Sequence, residues 1–190
     1  EGYSFTGWTV DGEAVEGGLE ITLGMTAPRT AQANFTLNQY ELVTNAGTGG
    51  TVSGAGTYDH GSVATLVASA EEGYSFAGWT LDGTEVSGGE NLEIEMTSDR
   101  TVQASFTLNQ YELVTDAGTG GTVSGAGTYD HGSVATVVAS AEEGYSFTGW
   151  TVDGEAVEGG LEITLGMTAP RTAQANFTLN QYELVTNAGT

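Results

Sequence analysis

One unit recurs along this chain without a gap, and that recurrence restricts the fold to something that can be stacked in series. Thr36 to Phe106 returns as Thr107 to Phe177 with few changes, a shift of 107 − 36 = 71 residues. A longer period lies on top of it: Glu1 to Thr48 is identical to Glu143 to Thr190, a shift of 143 − 1 = 142 residues, whereas the middle copy differs at many positions. Periods of this length mark small-domain units in tandem, an architecture used for reach, rigidity or assembly more often than for catalysis. The period divides the chain into residues 1–35, the C-terminal part of one repeat; residues 36–106 and 107–177, two complete repeats; and residues 178–190, the first strand of a further repeat. Neither flanking piece carries the strands that its own apolar face would cover. Each is therefore expected to be completed by a longer natural chain or by a neighbouring copy.

Charge narrows the partners. The 190 residues hold 25 acidic and 3 basic side chains, a formal net charge of −22, and no cysteine. All the bases are arginine, at Arg29, Arg100 and Arg171. Binding to nucleic acid or to anionic lipid relies on Lys and Arg meeting phosphate, so this balance opposes both. It keeps a long array soluble and self-repelling, and suits a salty or calcium-rich medium in which the repulsion is screened. Without lysine no Lys–Asn isopeptide crosslink can form, and without cysteine no disulfide can. No apolar run approaches the roughly 20 residues of a membrane span, and no signal peptide is visible. An extracellular or cell-surface location is the expectation, with no insertion into a membrane.

Within one unit the apolar period is mostly two. Leu92-Glu93-Ile94-Glu95-Met96 and Thr101 to Phe106 alternate apolar with polar residues, as half-buried strands do. Tyr40 to Thr44 reads as another strand. Asp82-Gly83, between Trp79-Thr80-Leu81 and Thr84-Glu85-Val86, is a two-residue hairpin signal, because both central positions must tolerate positive φ; Asp11-Gly12 and Asp153-Gly154 repeat it. Phe76 and Trp79 stand an odd number of residues apart, which a regular strand would send to opposite faces. A bulge at Gly78 would return both to the core. Ser62 to Gly73 mixes β-branched residues with alanine and reads as a strand, with a short helix closed by Gly73 as the alternative.

The core expected of the middle unit is Tyr40, Leu42, Val52, Val63, Val67, Tyr74, Phe76, Trp79, Leu92, Ile94, Met96, Val102 and Phe106. Large buried aromatics supply much of its stability, at about 1.5–3 kcal/mol for each well-buried large apolar side chain. Only Thr107 to Gln110 lie between Phe106 and Tyr111, with no Gly, Ser or Pro tract. A connector this short restricts the angle between units and predicts a semi-rigid, rod-like array.

The middle unit's Tyr40 to Leu42, Gly49 to Tyr58, Gly61 to Val63, Glu72 to Trp79, Met96, Arg100 and Phe106 form a succession that resembles the divergent internalin B repeat, of the Listeria-Bacteroides type of bacterial surface repeat. The likeness covers essentially the whole chain. It implies a mainly β fold, a tandem array of small modules that are β-grasp-like or Ig-like sandwiches, in secreted microbial surface proteins and adhesins. It implies no catalytic residues. The near identity of the units and the lack of lysine depart from the usual pattern and point to a homopolymer-like stalk or filament.

Candidate sites are few. Asp59, His60 and Ser62, and their copies around His131, name the residue types of a catalytic triad, but neighbours in one turn do not easily reach triad geometry. The sequence has no nucleophile elbow and no phosphate-loop lysine. Trp8, Trp79 and Trp150 with the tyrosines could form a sugar-stacking face, although core packing is the better reading. Glu71, Glu72, Asp82, Glu85, Glu90, Glu93 and Glu95 could collect calcium; lacking an Asp-x-Asp-x-Asp-Gly loop, they read better as a solvated acidic face, and no cofactor is expected. Asn34 and Asn176 head glycosylation sequons, replaced by Ser105 in the middle unit.

These observations give three expectations. A non-enzymatic structural array, forming the shaft of an adhesin or the body of an extracellular filament, comes first. Its partners would be further copies of itself, joined by chain continuation or by strand complementation. A module that binds glycan or host protein by avidity comes second, and an enzyme is a distant third.

Overall fold

A computed structural model describes residues 1–187. The chain divides into two compact units, Glu1–Thr107 and Leu108–Thr190, and every regular element among the described residues is a β-strand.

Unit 1 begins with β1 (Tyr3–Val10), β2 (Glu13–Val15) and β3 (Ala31–Leu37), a three-stranded sheet in the order β2-β1-β3. A complete repeat follows: β4 (Gln39–Ala46), β5 (Gly50–Ser53), β6 (Gly56–Asp59), β7 (Val63–Ala70), β8 (Tyr74–Leu81), β9 (Thr84–Val86), β10 (Asn91–Glu95) and β11 (Arg100–Leu108). Its strands sort into a five-stranded sheet, β6-β4-β11-β8-β9, and a three-stranded one, β10-β7-β5. Unit 2 repeats the plan with β12 (Gln110–Ala117), β13 (Gly121–Ser124), β14 (Gly127–Asp130), β15 (Ser133–Ala141), β16 (Tyr145–Val152), β17 (Glu155–Val157), β18 (Glu162–Met167) and β19 (Arg171–Leu179).

In each complete repeat the two sheets close face to face on one core. Leu42, Trp79, Val102 and Ala104 of the larger sheet meet Ala64, Leu66, Ala68 and Ile94 of the smaller, with Met96 just past β10. The module is thus an all-β sandwich, with no helix laid across either sheet. Strict alternation settles Ser62–Gly73 as a strand, because β7 buries every second residue.

The parity of β7 is the reverse of the expected one. Val63 and Val67 are 58% and 38% exposed, while Ala64, Leu66 and Ala68 are buried. The outer side alternates Val63 and Val67 with Thr65 and Ser69, whereas the inner side, Ala64, Leu66 and Ala68, carries no polar side chain and suits the space available. Alanines at 64 and 68 leave room for Trp79, only 1% exposed in the same cluster, whereas valines there would crowd it. The remaining expected core residues are buried or half-buried, and Tyr74 instead lies across the backbone at Gly49.

Three local devices make the strands possible. In β1 and β16 the register shifts between Phe5 and Gly7 and between Phe147 and Gly149, and Gly78 adopts the matching φ of 155°. The bulge carries Phe76 and Trp79 to the same side, with ring centroids 5.4 Å apart. Second, a Cβ on Gly49 or Gly50 would strike the ring of Tyr74 or Phe106, so this Gly-Gly pair is the floor on which two aromatic rings rest. Third, the Asp82-Gly83 turn has both residues at positive φ, 50° and 82°, as a two-residue hairpin with a type I′ turn requires.

Identical sequence folds differently where its partners are missing. Glu162–Met167 is β18, paired with β15, and Leu165 and Met167 are 6% and 0% exposed. The same six residues at 20–25 form no strand, and Met25 is 69% exposed. The strand of unit 1 equivalent to β15 is β7, which is already paired with β5 and β10, so residues 20–25 have no strand to join and alternation alone does not make them one. The tail behaves alike. Gln39–Ala46 is β4, yet residues 181–187 form no strand, and Tyr182 and Leu184 are 85% and 87% exposed. The first strand expected within 178–190 therefore does not form over its described part, for want of the neighbours that flank β4; residues 188–190 lie outside the described residues.

Candidate functional site

The arginines are all spent on one structural task. Arg29, Arg100 and Arg171 pair with Asp11, Asp82 and Asp153, at 2.8, 2.7 and 2.9 Å. Each aspartate opens a hairpin turn and reaches back to the strand that begins beside its arginine. Asp82 accepts the Thr101 N–H at 2.9 Å through its carboxylate, and its own N–H donates to the Thr101 carbonyl at 2.8 Å. The Thr101 N–H first, and the arginine second, hold the Asp82 carboxyl below the usual carboxylate range. Asp11 and Asp153 are lowered too, in each case chiefly by the matching threonine N–H. Asp82 is therefore removed from the acidic group suggested for calcium. Among the described residues no group of three or more His, Cys, Asp or Glu side chains is placed to hold a metal ion.

The residues of the triad pattern do not assemble into one. Ser62 donates its hydroxyl to the Asp59 carbonyl at 2.7 Å, and the Asp59 carboxylate accepts from Gln39 Nε2 at 2.9 Å. The His60 ring packs edge-on to Tyr40, with centroids 5.8 Å apart, and Gly2 fits against it so closely that a Cβ there would overlap the ring. His60 Nδ1 is buried with no hydrogen-bond partner, and so is His131 Nδ1. His131 meets Tyr111 in the same way, while Ser133 donates to the Asp130 carbonyl at 2.7 Å.

His60 belongs to a joint that the sequence reading missed. The Asn38 N–H donates to the Gly2 carbonyl at 2.8 Å, and the Asn38 carbonyl accepts the His60 N–H at 2.8 Å. Asn38 Oδ1 accepts from the Ser4 hydroxyl. One connector residue thus fastens the start of β1 to the turn after β6. The signal in the sequence is Leu-Asn-Gln at residues 37–39 and 108–110, each time with Glu-Gly-Tyr-Ser 36 residues before it and Asp-His-Gly 22 residues after it.

Other candidates are engaged as well. Trp79 and Trp150 are 1% exposed, their indole N–H groups donating to Gly89 and Gly160 carbonyls at 2.7 and 2.8 Å, so neither offers a face to a sugar. Trp8, on β1 of the N-terminal three-stranded sheet, donates to the Gly18 carbonyl at 3.2 Å. Tyr58 and Tyr129 donate their hydroxyls to Gly54 and Gly125 carbonyls. Asn34 Nδ2 donates to Thr9 Oγ1 at 2.6 Å, and Asn176 Nδ2 to Thr151 Oγ1 at 3.1 Å and the Gly149 carbonyl at 3.4 Å. A glycan on Asn176 would replace a hydrogen that those bonds use. Glu93 and Glu95 stand on the outer side of β10, across from Thr65 and Val63. A groove of about 310 Å³ runs beside the bulge, lined by Gly78, Thr80, Glu85 and Ser105 among others, and one of about 230 Å³ recurs at Gly149, Thr151, Ala156 and Asn176.

Comparison with known proteins agrees with this architecture. The sequence pattern of the divergent InlB B-repeat domain matches residues 1–39, 40–110 and 111–181. The chain belongs to the divergent InlB B-repeat family. The second and third matches start beside Gln39 and Gln110, where β4 and β12 begin. The chain is also 25% identical, over its full length, to a protein of Evansella cellulosilytica described as "Putative Gly-rich membrane protein", and it spans 22% of that relative's length. No solved structure matches the chain. Repeats of this family suggest a surface repeat protein. No helix among the described residues is long and apolar enough to cross a membrane.

Proposed function

We propose that this chain is a non-enzymatic structural repeat region that forms the shaft of a secreted surface protein and sets the distance at which a more distal part acts. The observation that carries the reading is the connection between repeats. β3 ends at Leu37 and β4 starts at Gln39, so a single residue, itself hydrogen-bonded to both sides, joins one repeat to the next. Connectors of this kind transmit position, whereas a binding array working by avidity gains from slack between its modules. Further support comes from Trp79, Trp150, the Asp–Arg pairs and the triad-type residues, whose side chains are engaged in cores, turns and joints. The acidic surface keeps neighbouring shafts apart.

An extracellular filament is the second form of the same reading. It is favoured by the contrast between residues 20–25 and 162–167, since a sequence that becomes a strand only beside a partner strand could find that partner on another copy. Binding of a glycan or host protein is the competing function, favoured by the groove that recurs beside the bulge. Electron microscopy of the purified natural protein at low and high salt tests these together. Single particles whose length follows the number of repeats support the shaft. Fibres much longer than one chain, lost on deletion of residues 178–190, support the filament. Glycan-array binding abolished by Thr80→Ala in a folded protein would favour the binding module and overturn the shaft as the repeats' function.

A further inference from the structure

We propose that each repeat is a shear clamp, built to resist tension applied along the chain; this rests on the shaft reading and says where the resistance is located. In the middle repeat the first strand and the last are neighbours in the sheet and run parallel, from Leu42 opposite Arg100 to Ala46 opposite Ala104. The pairing extends past both ends: the Gly47 N–H donates to the Ala104 carbonyl at 2.9 Å, and the Asp99 carboxylate accepts the Glu41 N–H at 2.8 Å. Unit 2 has the same arrangement, from Leu113 opposite Arg171 to Ala117 opposite Ala175. There the Gly118 N–H donates to the Ala175 carbonyl at 3.0 Å, and Gln174 Nε2 donates to the Asp116 carboxylate at 3.0 Å.

Tension in a tandem array enters a repeat at the start of its first strand and leaves at the end of its last. Because β4 and β11 are parallel, those two points lie at opposite ends of the pair. Pulling them apart slides β4 along β11, so the rungs of the ladder are strained together and none gives way until many do. With an antiparallel pair, entry and exit would share one end and the rungs would open singly. Two features block gradual slippage. Neither strand is an edge, since β4 lies between β6 and β11, and β11 between β4 and β8. A slip of one residue would also turn the buried Leu42 toward solvent if β4 moved, or the buried Val102 and Ala104 if β11 moved. The clamp must therefore break as a whole, and that barrier governs forced unfolding.

The absence of cysteine allows the direction of pulling to be chosen with engineered handles. Gln39→Cys with Thr107→Cys, on the full chain, pulls along the natural path. Gln39→Cys with Ser98→Cys pulls at one end of the pair, because Ser98 lies in the exposed turn just before β11. Single-molecule force spectroscopy should give a rupture force several-fold higher for the first pair than for the second. The stretched segments, at roughly 3.4 Å per residue, span roughly 230 and 200 Å and identify each event. Thermal unfolding checks both variants beforehand, and Gln110→Cys with Thr178→Cys or Ala169→Cys supplies the same test in unit 2 if one of them fails to fold. Equal rupture forces in the two directions would overturn the clamp. That result would leave the shaft reading standing, because the shaft depends on how length follows repeat number and not on strength.

Discussion

Leu66→Ala and Val67→Ala, neighbours on β7, should differ sharply in cost. Leu66 has no exposed surface and lies in the cluster with Trp79 and Ile94, whereas Val67 is 38% exposed on the outer face. Truncating a fully buried leucine costs about 2.7–5 kcal/mol, from lost transfer energy and the cavity left behind. Val67→Ala loses a half-exposed side chain and some strand preference, under about 1 kcal/mol. At ~0.05–0.15 kcal/mol per residue, a repeat of this length is stable by only roughly 4–11 kcal/mol, so Leu66→Ala removes a large share of that. Val137 occupies the equivalent position in unit 2, and Leu66→Val should cost only ~1 kcal/mol. Hydrogen exchange of a peptide covering residues 84–99, whose sequence occurs only in the middle repeat, reads the change where it arises. Equal deprotection by the two alanine variants, or a larger effect of Val67→Ala, would refute the assignment of faces on β7 and with it the packing of the two sheets.

Other perturbations test other parts. Trypsin has only Arg29, Arg100 and Arg171 to cut after, and Arg29 alone lies outside a strand, so limited digestion should first yield fragments 1–29 and 30–190; initial cutting at Arg100 or Arg171 would contradict the exposed state of residues 16–30. Gly50→Ala should destabilise the middle repeat by about 1–3 kcal/mol by forcing Phe106 aside, while Gly89→Ala, which meets open space, should be nearly neutral in urea unfolding. The Asp82 carboxyl is held low in the fold, so its contribution is complete above the ordinary aspartate value of about 3.9 and is lost as pH falls through the lower folded value. Acid unfolding of Asp82→Asn should accordingly depend less steeply on pH in that acid range than unfolding of the parent; an unchanged profile would discount the turn-to-strand lock.

Much of the fold was legible because it rests on local rules. The Asp-Gly turns, the alternation over Leu92 to Met96 and the odd spacing of Phe76 and Trp79 each have one cheap structural solution, and the hairpins, strands and bulges follow them. What was not legible depends on partners distant in sequence. β7 carries valines on one face and alanines with Leu66 on the other, and the small side chains go inside, in the cluster that holds Trp79 of the facing sheet, while Thr65 and Ser69 go outside. Residues 20–25 and 162–167 carry one sequence and adopt two states, so no local reading could assign both. The candidate site fared similarly: the tryptophans read as core, and Trp79 and Trp150 are core, but the joint made by Gly2, Asn38 and His60 needs residues of two adjacent repeats. The pairing of each aspartate turn with an arginine 18 positions on was also invisible until β11 lay beside that turn.

The shaft is tested most directly by length. Small-angle X-ray scattering on this chain, and on versions carrying one and two extra copies of residues 107–177 inserted after Phe177, gives the largest dimension of each. A shaft gives equal increments for each added repeat, at low and high salt alike. A dimension that grows only slowly with added repeats, as it does when modules fold back or hang on slack connectors, would contradict it.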